Sequence, residues 1–458
     1  MRSMFTGVTG LRGHQARMDV IGNNIANVNT PGFKASRMTF ADAFSQSLRS
    51  AGPPNPDFGR GGSNPMQVGL GMNVASIQRL MSQGGAMRTD DPFHMMLDGD
   101  GFFVVGDNVG GTFFTRAGNF NRDRDYNIHA PGGLILQGWP ATTDANGNLM
   151  ITPMGTTEIN RAPVQGIQIT PAMRQVPARA TGNIQFTGNL DSRAAGPIFS
   201  SINFLDSLGN SWTVEVEIIR ETTGPDDDVV PNTWSVVFSN YPVREDGFTA
   251  TLSVPIPPVT LEFNTSGDLY DITAAPPAMT TGSRLFSFAL DGAPFGVEFG
   301  QPSDLPGIEG NVITIDFGQF GQRSGGTSAV STNLDGIVMG VLQGLSFGED
   351  GVITGLFSNG QNFALWQVAV ANFANPAGLE SMGNNMFRQT ANSGAFDSIG
   401  SEPLAIGSTV LAGHLEMSNV DLASEFTEMI TTQRGFQANS RVITTSDEIL
   451  QELVNLRR

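Results

Sequence analysis

Near the start of the chain, Met4, Val8, Leu11, Gln15, Met18, Gly22 and Ile25 recur at steps of four and three, which places them on one seam of a helix. Asn29-Thr30-Pro31-Gly32 ends that helix, because Pro31 removes a backbone donor and restrains Thr30 while Gly32 accepts the positive φ of a tight turn. The same step returns at the other end in Phe426, Met429, Gln433, Phe436, Ser440, Ile443, Asp447, Leu450 and Val454. Leu422, Val442, Ile449, Leu453 and Leu456 widen that stripe. From about Val420 to Leu456 there is no proline and a single glycine, Gly435. This predicts a helix of roughly 50 Å at 1.5 Å per residue, with Asn419 or Asp421 as its cap.

Between these ends the period changes to two. Trp212, Val214, Val216 and Ile218 alternate with polar residues, as do Trp234, Val236 and Phe238, and Ile313, Ile315 and Phe317. Turn signals at Asp144–Gly147, Asp246-Gly247 and Ser266-Gly267-Asp268 separate the runs, and Pro255, Pro257 and Pro258 mark strands that are not central. No internal repeat is evident, so a propeller or solenoid is not favoured. Residues 50–66 read as an irregular Pro/Gly/Asn-rich connector and residues 221–232 as an exposed acidic loop. The expected class is α+β, with coiled-coil-like helices from both ends and β-rich outer domains between them.

At 458 residues the chain is long enough for two or more domains. Its 25 basic and 43 acidic residues give a net charge of −18, so phosphate backbones and anionic membrane surfaces would repel it. Nucleic acid is therefore an unfavoured partner. The only lysine, Lys34, follows Gly32-Phe33, which excludes a Gly-Lys-Ser/Thr phosphate loop. Cysteine is absent, so thiol catalysis, thiolate metal sites and disulfides are excluded together. Arg12, His14, Arg17 and Asp19 break the apolar residues of the N-terminus before a signal-peptide core could form, and no stretch of 18 uncharged apolar residues would insert in a membrane.

Catalytic signatures are sparse. None of His14, His94, His129 and His414 has a second histidine or a glutamate at metal spacing. Asp123, Asp125 and Asn127 resemble the start of a calcium loop, but Ile128 and Leu134 stand where Gly and Glu are required. Gly69-Leu70-Gly71 lacks the third glycine of a nucleotide loop, and there is no Gly-x-Ser-x-Gly elbow. Neither a cofactor nor a metal is expected. Carboxylates are numerous enough that an extracellular glycan-acting enzyme stays open as a different function class. The two terminal seams point instead to assembly. Polar or tiny residues interrupt both, and such a pair is marginal alone in water. An intramolecular hairpin and folding against neighbouring copies are both open, and they are compatible.

The run Val20-Ile21-Gly22-Asn23-Asn24-Ile25-Ala26-Asn27-Val28-Asn29-Thr30-Pro31-Gly32-Phe33-Lys34 resembles the N-terminal signature of the bacterial flagellar rod and hook family, and residues 36–44 resemble its continuation. Further landmarks are Gly101-Phe102-Phe103, Phe114 to Phe120, Gly138 to Ala141, Val370 to Pro376, Gly413 to Leu422 and Met429 to Arg434. The resemblance covers about residues 1–142 and 348–458. One local departure is Asp125-Tyr126-Asn127-Ile128-His129, where relatives more often have a short Gly- or Asn-containing turn and an apolar strand.

The resemblance implies a division into 1–30 with 415–458 (a terminal helical domain lining an inner tube), 31–68 (connector), 69–142 with 332–414 (inner β-rich domain) and 143–331 (inserted outer β domain or domains). It also implies a homopolymer that bends while transmitting motor torque. Met4, Val8, Leu11, Met18, Ile25, Leu422, Phe426, Met429, Phe436, Ile443, Leu450 and Val454 would bury the helix seams between copies. Asn23, Asn24, Ile25, Ala26, Asn27, Pro31, Gly32 and Phe33 carry the family motif. Length and the inserted middle point to the hook class, with distal rod and hook-filament junction proteins as the neighbouring alternatives. The implied partners are further copies, the distal rod protein, the junction protein, the hook cap and the flagellar export apparatus. The implied location is the extracellular hook and basal body, reached by export without a cleaved signal.

Overall fold

The computed structural model describes the chain except residues 1, 54–61, 108–109, 144–148, 150–156, 195, 224–227, 240–241, 249–255, 275–278, 281–283, 290–297, 303–310, 334 and 457–458. The expected turn at Asp144–Gly147, Pro255 and the centre of the acidic loop lie outside the described residues.

Helix α1 spans Arg2–Ala26 and α2 spans Leu422–Asn455. They pack antiparallel, Ser3 meeting Ser446 at one end and Asn24 meeting Glu425 at the other. Asp421 caps α2, its carboxylate accepting from the Ala423 amide at 2.9 Å. Asn419, the other candidate cap, serves elsewhere. It accepts from the Ala35 amide at 2.7 Å and donates to the Leu80 carbonyl at 2.8 Å.

After α1 the chain forms a long hairpin arm from β1 (Ser36–Asp42), β2 (Ser45–Arg49), β3 (Met66–Gly69) and β4 (Met72–Arg79), in which β1 pairs with β4 and β2 with β3. Segment 31–68 is thus more regular than the connector that the resemblance implies. The Pro/Gly/Asn-rich stretch only links the two limbs, and the Gly52–Ser63 bridge extends their pairing.

Strand Phe102–Gly106 lies inside the largest sheet of the inner body, and it shows why the local sequence is continuously apolar. Phe103 and Val105 enter one hydrophobic cluster, while Phe102 and Val104 enter a second on the opposite face. The larger cluster draws on residues from Met95 to Val176 and from Ile337 to Val410, so the inner body is built from two separate stretches of chain.

The intervening insert carries two six-stranded sheets around a single aromatic-rich core. Here the period-two runs face as the sequence predicts. Trp212, Val216, Ile218, Trp234, Val236, Ile313, Ile315 and Phe317 are fully buried. Phe238 stacks on Phe286 at 5.7 Å and Trp212 meets Phe299 edge-on at 5.3 Å. Among the described residues one pairing runs parallel, that of Asn183–Asp191 with Asn311–Arg323, and the second sheet forms part of the crossover such a pairing requires.

The insert's boundaries differ from 143–331. Ile167, Ile169, Met173 and Val176 lie in the inner core, so the insert begins near residue 181. Burial, which follows the core across residue 143, marks the limit of the domain. At the neck, strands Asn183–Asp191 and Ser328–Asn333 run side by side with Ile184 opposite Asn333. Buried Asp335 accepts from the Gly182 and Asn183 amides at 2.9 Å each and from the Asn183 side chain at 2.7 Å.

Replacing Asp335 by Ala strands these donors, and a buried unsatisfied donor costs about 1–3 kcal/mol. The expected outcome is faster hydrogen exchange at Gly182 and Asn183 and a lower denaturation midpoint for the insert, with the exchange of the α1–α2 amides unchanged.

Candidate self-assembly surface

Three charged side chains meet in the interior where the arm, the inner body and the entry to α2 converge. Lys34 Nζ lies 2.6 Å from Glu416 Oε1 with both side chains at most 1 % exposed, and Arg116 Nη1 lies 3.6 Å from Glu416 Oε2. Lys34 also donates to the Ser82 carbonyl at 2.8 Å, Glu416 Oε1 accepts from the Gly84 amide at 2.9 Å, and Arg116 donates to the Gly99 carbonyl at 2.8 Å. Burial pulls the Lys34 ammonium below the usual lysine range, and Glu416 pushes it back up; Arg116 is affected in the same way. Gly32, at φ +69°, donates its amide to the Glu416 carbonyl at 2.8 Å and brings the chain into this junction.

Asn24 supplies the second tie. It is 1 % exposed, donates to the Ser36 carbonyl and accepts from the Ser36 amide at 2.9 Å each, and donates to Glu425 at 3.0 Å. One side chain thereby joins α1, β1 and α2. Asn385 fixes the following turn by donating to the Pro31 carbonyl at 2.7 Å.

Along the hairpin, the faces that meet are small and polar. A Cβ on Gly10 would stand 2.7 Å from the Asn439 side chain, so a larger residue there would have to push that side chain aside. His14 lies over Gly435, Gly7 faces Ile443, and Arg17 pairs with Glu428 at 2.9 Å. Apart from Ile443, this contact line sits one residue away from the apolar seams. Among the residues expected to bury those seams, Met4, Leu11, Met18, Ile25, Met429, Phe436, Ile443 and Leu450 are half-buried, and Val8, Leu422, Phe426 and Val454 are exposed. Of the motif residues, Asn24 and Gly32 are buried, Ile25, Asn27, Pro31 and Phe33 are half-buried, and Asn23 and Ala26 are exposed. The periodicity could not single out Lys34, Arg116, Glu416 and Asn419. A lone lysine in a chain with 24 arginines was the available signal for the first.

The arm carries more uncovered apolar surface. Phe44 is 83 % exposed, and Leu48, Met66 and Ile77 are exposed as well.

Comparison with known proteins agrees with this layout. Families described as "Flagella basal body rod protein", "Flagellar hook protein FlgE/F/G D1 domain", "Flagellar basal body protein FlaE D2 domain" and "Flagellar basal body rod FlgEFG protein C-terminal" match residues 4–34, 96–186, 198–337 and 411–456. Paired ends, a split inner body and an insert, matched in this order, define a flagellar rod and hook protein. The chain belongs to the flagellar hook protein family. It is 37 % identical over 476 residues to the flagellar hook protein FlgE of Borreliella burgdorferi, with 100 % of both chains covered. It is 34 % identical to the FlgE of Treponema pallidum over 100 % of both chains, and 30 % identical to that of Escherichia coli over 98 % of both. A crystal structure of Helicobacter pylori flagellar hook protein FlgE2 aligns with 72 % of this chain and 100 % of that one at a TM-score of 0.48, too slight a likeness to add weight.

Substituting Lys34 by Met leaves Glu416 buried with Arg116 as its remaining cation. Breaking a buried pair costs about 3–5 kcal/mol, and urea unfolding of the full chain is expected to show a loss of that order.

Glu425 gives a separate prediction. Burial raises its pKa above the ordinary 4.5, its hydrogen bond from Asn24 opposes the rise, and Glu428 adds to it. An acid with a raised folded pKa contributes stability that is present below its unfolded pKa and lost as pH climbs through the folded one. Hydrogen exchange should therefore show the Glu425 end of the hairpin losing protection from about pH 4.5 upward, and Glu425→Gln should flatten that loss and raise protection at pH 7.

Proposed function

We propose that this chain is the structural subunit of the bacterial flagellar hook, stacking on copies of itself in an open helical tube that bends while it carries torque from the rod to the filament. One observation carries the reading. The terminal helices meet through a small and polar seam, and they leave Phe426, Ile430, Ile449 and Val454, each 51–69 % exposed, on their outer sides. Phe5 and Val8 of α1 are exposed as well, and with the uncovered residues of the arm they are apolar groups that a neighbouring copy would cover. A heterologous contact that covers them without closing grows a tube. The inner body and the insert then stand outside the helices as the layers that shift when the tube curves. Further copies are the main partner. The rod, junction and cap proteins and the export apparatus would meet the same ends, and the location is the flagellum. No helix among the described residues is long and apolar enough to cross a membrane.

Phe426→Ser tests the reading. Burying a phenylalanine side chain contributes about 1.5–3 kcal/mol, so its loss should raise the critical concentration for polymerisation roughly tenfold or more. Sedimentation reads that change, while the thermal midpoint of the monomeric β domains stays where it was. Unaltered assembly would remove Phe426 from the contact between copies.

A further inference from the structure

The departure from family pattern at Asp125–His129 has a structural counterpart. Tyr126 adopts φ +63°, a left-handed backbone that bulky residues rarely use, in a turn where Asp123 accepts from the Asn127 amide at 2.7 Å and its side chain at 2.6 Å. The guanidinium carbons of Arg122 and Arg174 each lie 4.6 Å from the centre of the Tyr126 ring, and Arg122 is also 5.7 Å from that of Phe93. Pro92 and Pro171 complete a groove of about 600 Å³ at the surface of the inner body. Among the described residues no carboxylate lines it. Among the described residues neither arginine makes an ion pair, and the buried Nε of Arg174 has no acceptor. Two guanidiniums drawn to one ring, in a chain of net charge −18, make a focused positive site on an otherwise acidic molecule.

The insert carries the complementary arrangement. Glu262 and Asp271 stand directly opposite each other on paired antiparallel strands, and Leu261, Phe263 and Ile272 are buried on the reverse face of that sheet. Like charges placed in this way repel. Glu215 and Glu217 share the outer face, and among the described residues no arginine pairs with any of the four.

We infer that the Arg122–Tyr126–Arg174 groove of one copy receives the Glu262–Asp271 carboxylates of a neighbouring copy. The inference rests on the self-assembly reading above and adds to it a specific charged contact between the inner body and a neighbour's insert. Guanidinium forks match carboxylates in two-point hydrogen bonds, and Tyr126 holds both forks in place before contact. The strained turn is therefore a positioning element, and the acidic pair gains the cations it lacks within its own chain.

A charge exchange in the full-length chain tests this, with critical concentration read by sedimentation and folding read by the monomer's thermal midpoint. Arg122→Glu with Arg174→Glu should raise the critical concentration at least tenfold. So should Glu262→Arg with Asp271→Arg, and the chain carrying all four changes should return to within about threefold of the original. Glu262→Gln with Asp271→Gln, remote from the groove, should weaken assembly and reduce its dependence on salt. Normal assembly of either two-site reversal, absence of recovery in the four-site chain, or an unchanged critical concentration in the Gln variant would each overturn the contact while leaving the assembly reading intact. An unaltered chain that failed to polymerise would overturn the assembly reading itself.

Discussion

Everything in this molecule depends on holding its two ends together at the foot of the inner body, and a buried ionic cluster does so. Lys34 comes from the segment after α1, Glu416 from the segment before α2, and Arg116 from between them in the sequence, so one glutamate is shared by cations from separate stretches of chain. Desolvation opposes placing three charges there, and backbone groups of Ser82, Gly84 and Gly99 offset part of that cost by hydrogen-bonding Lys34, Glu416 and Arg116. Such an arrangement matters more for register than for net stability. An apolar contact could slide by a residue, whereas a charge displaced from its partner in a dry interior could not.

That fixed register gives the terminal helices their meaning. With Asn24 holding the start of the arm and Glu425 together, the hairpin packs largely through glycines, serines, asparagines and the Arg17–Glu428 ion pair, and Val8, Phe426 and Val454 remain exposed. The repeat in the sequence announced both terminal helices, and the length expected for the second matches Leu422–Asn455. It could not reveal that the packing line runs one residue away. Periodicity registers large apolar side chains, and an interface of small ones leaves almost no hydrophobic signal. The same blindness applies to the junction, since residues adjacent in space through a buried charge can be hundreds of positions apart in sequence.

In the β-rich portion, alternation made the strands legible one by one. Trp212 to Ile218 and Ile313 to Phe317 face inward as their period requires. Pairing partners were not legible, because register and neighbour choice belong to tertiary packing; the parallel match of Asn183–Asp191 with Asn311–Arg323 spans more than a hundred residues. Domain limits were misplaced for a related reason. The expected break at residue 143 falls inside the stretch 96–186 that matches the D1 family, and Ile167 to Val176 fill the inner core, where only apolar character is demanded and many sequences satisfy it.

The neck of the insert carries a consequence for how such a protein can change over generations. Its strands enter and leave side by side, clasped by Asp335, so the two cut ends of the inner body stay in one place whatever lies beyond them. An outer module of another size, or none, could be grafted at residues 182 and 336 without altering the spacing of the structure underneath. What lies beyond the neck can thereby change in size while the strands that carry it keep one fixed attachment.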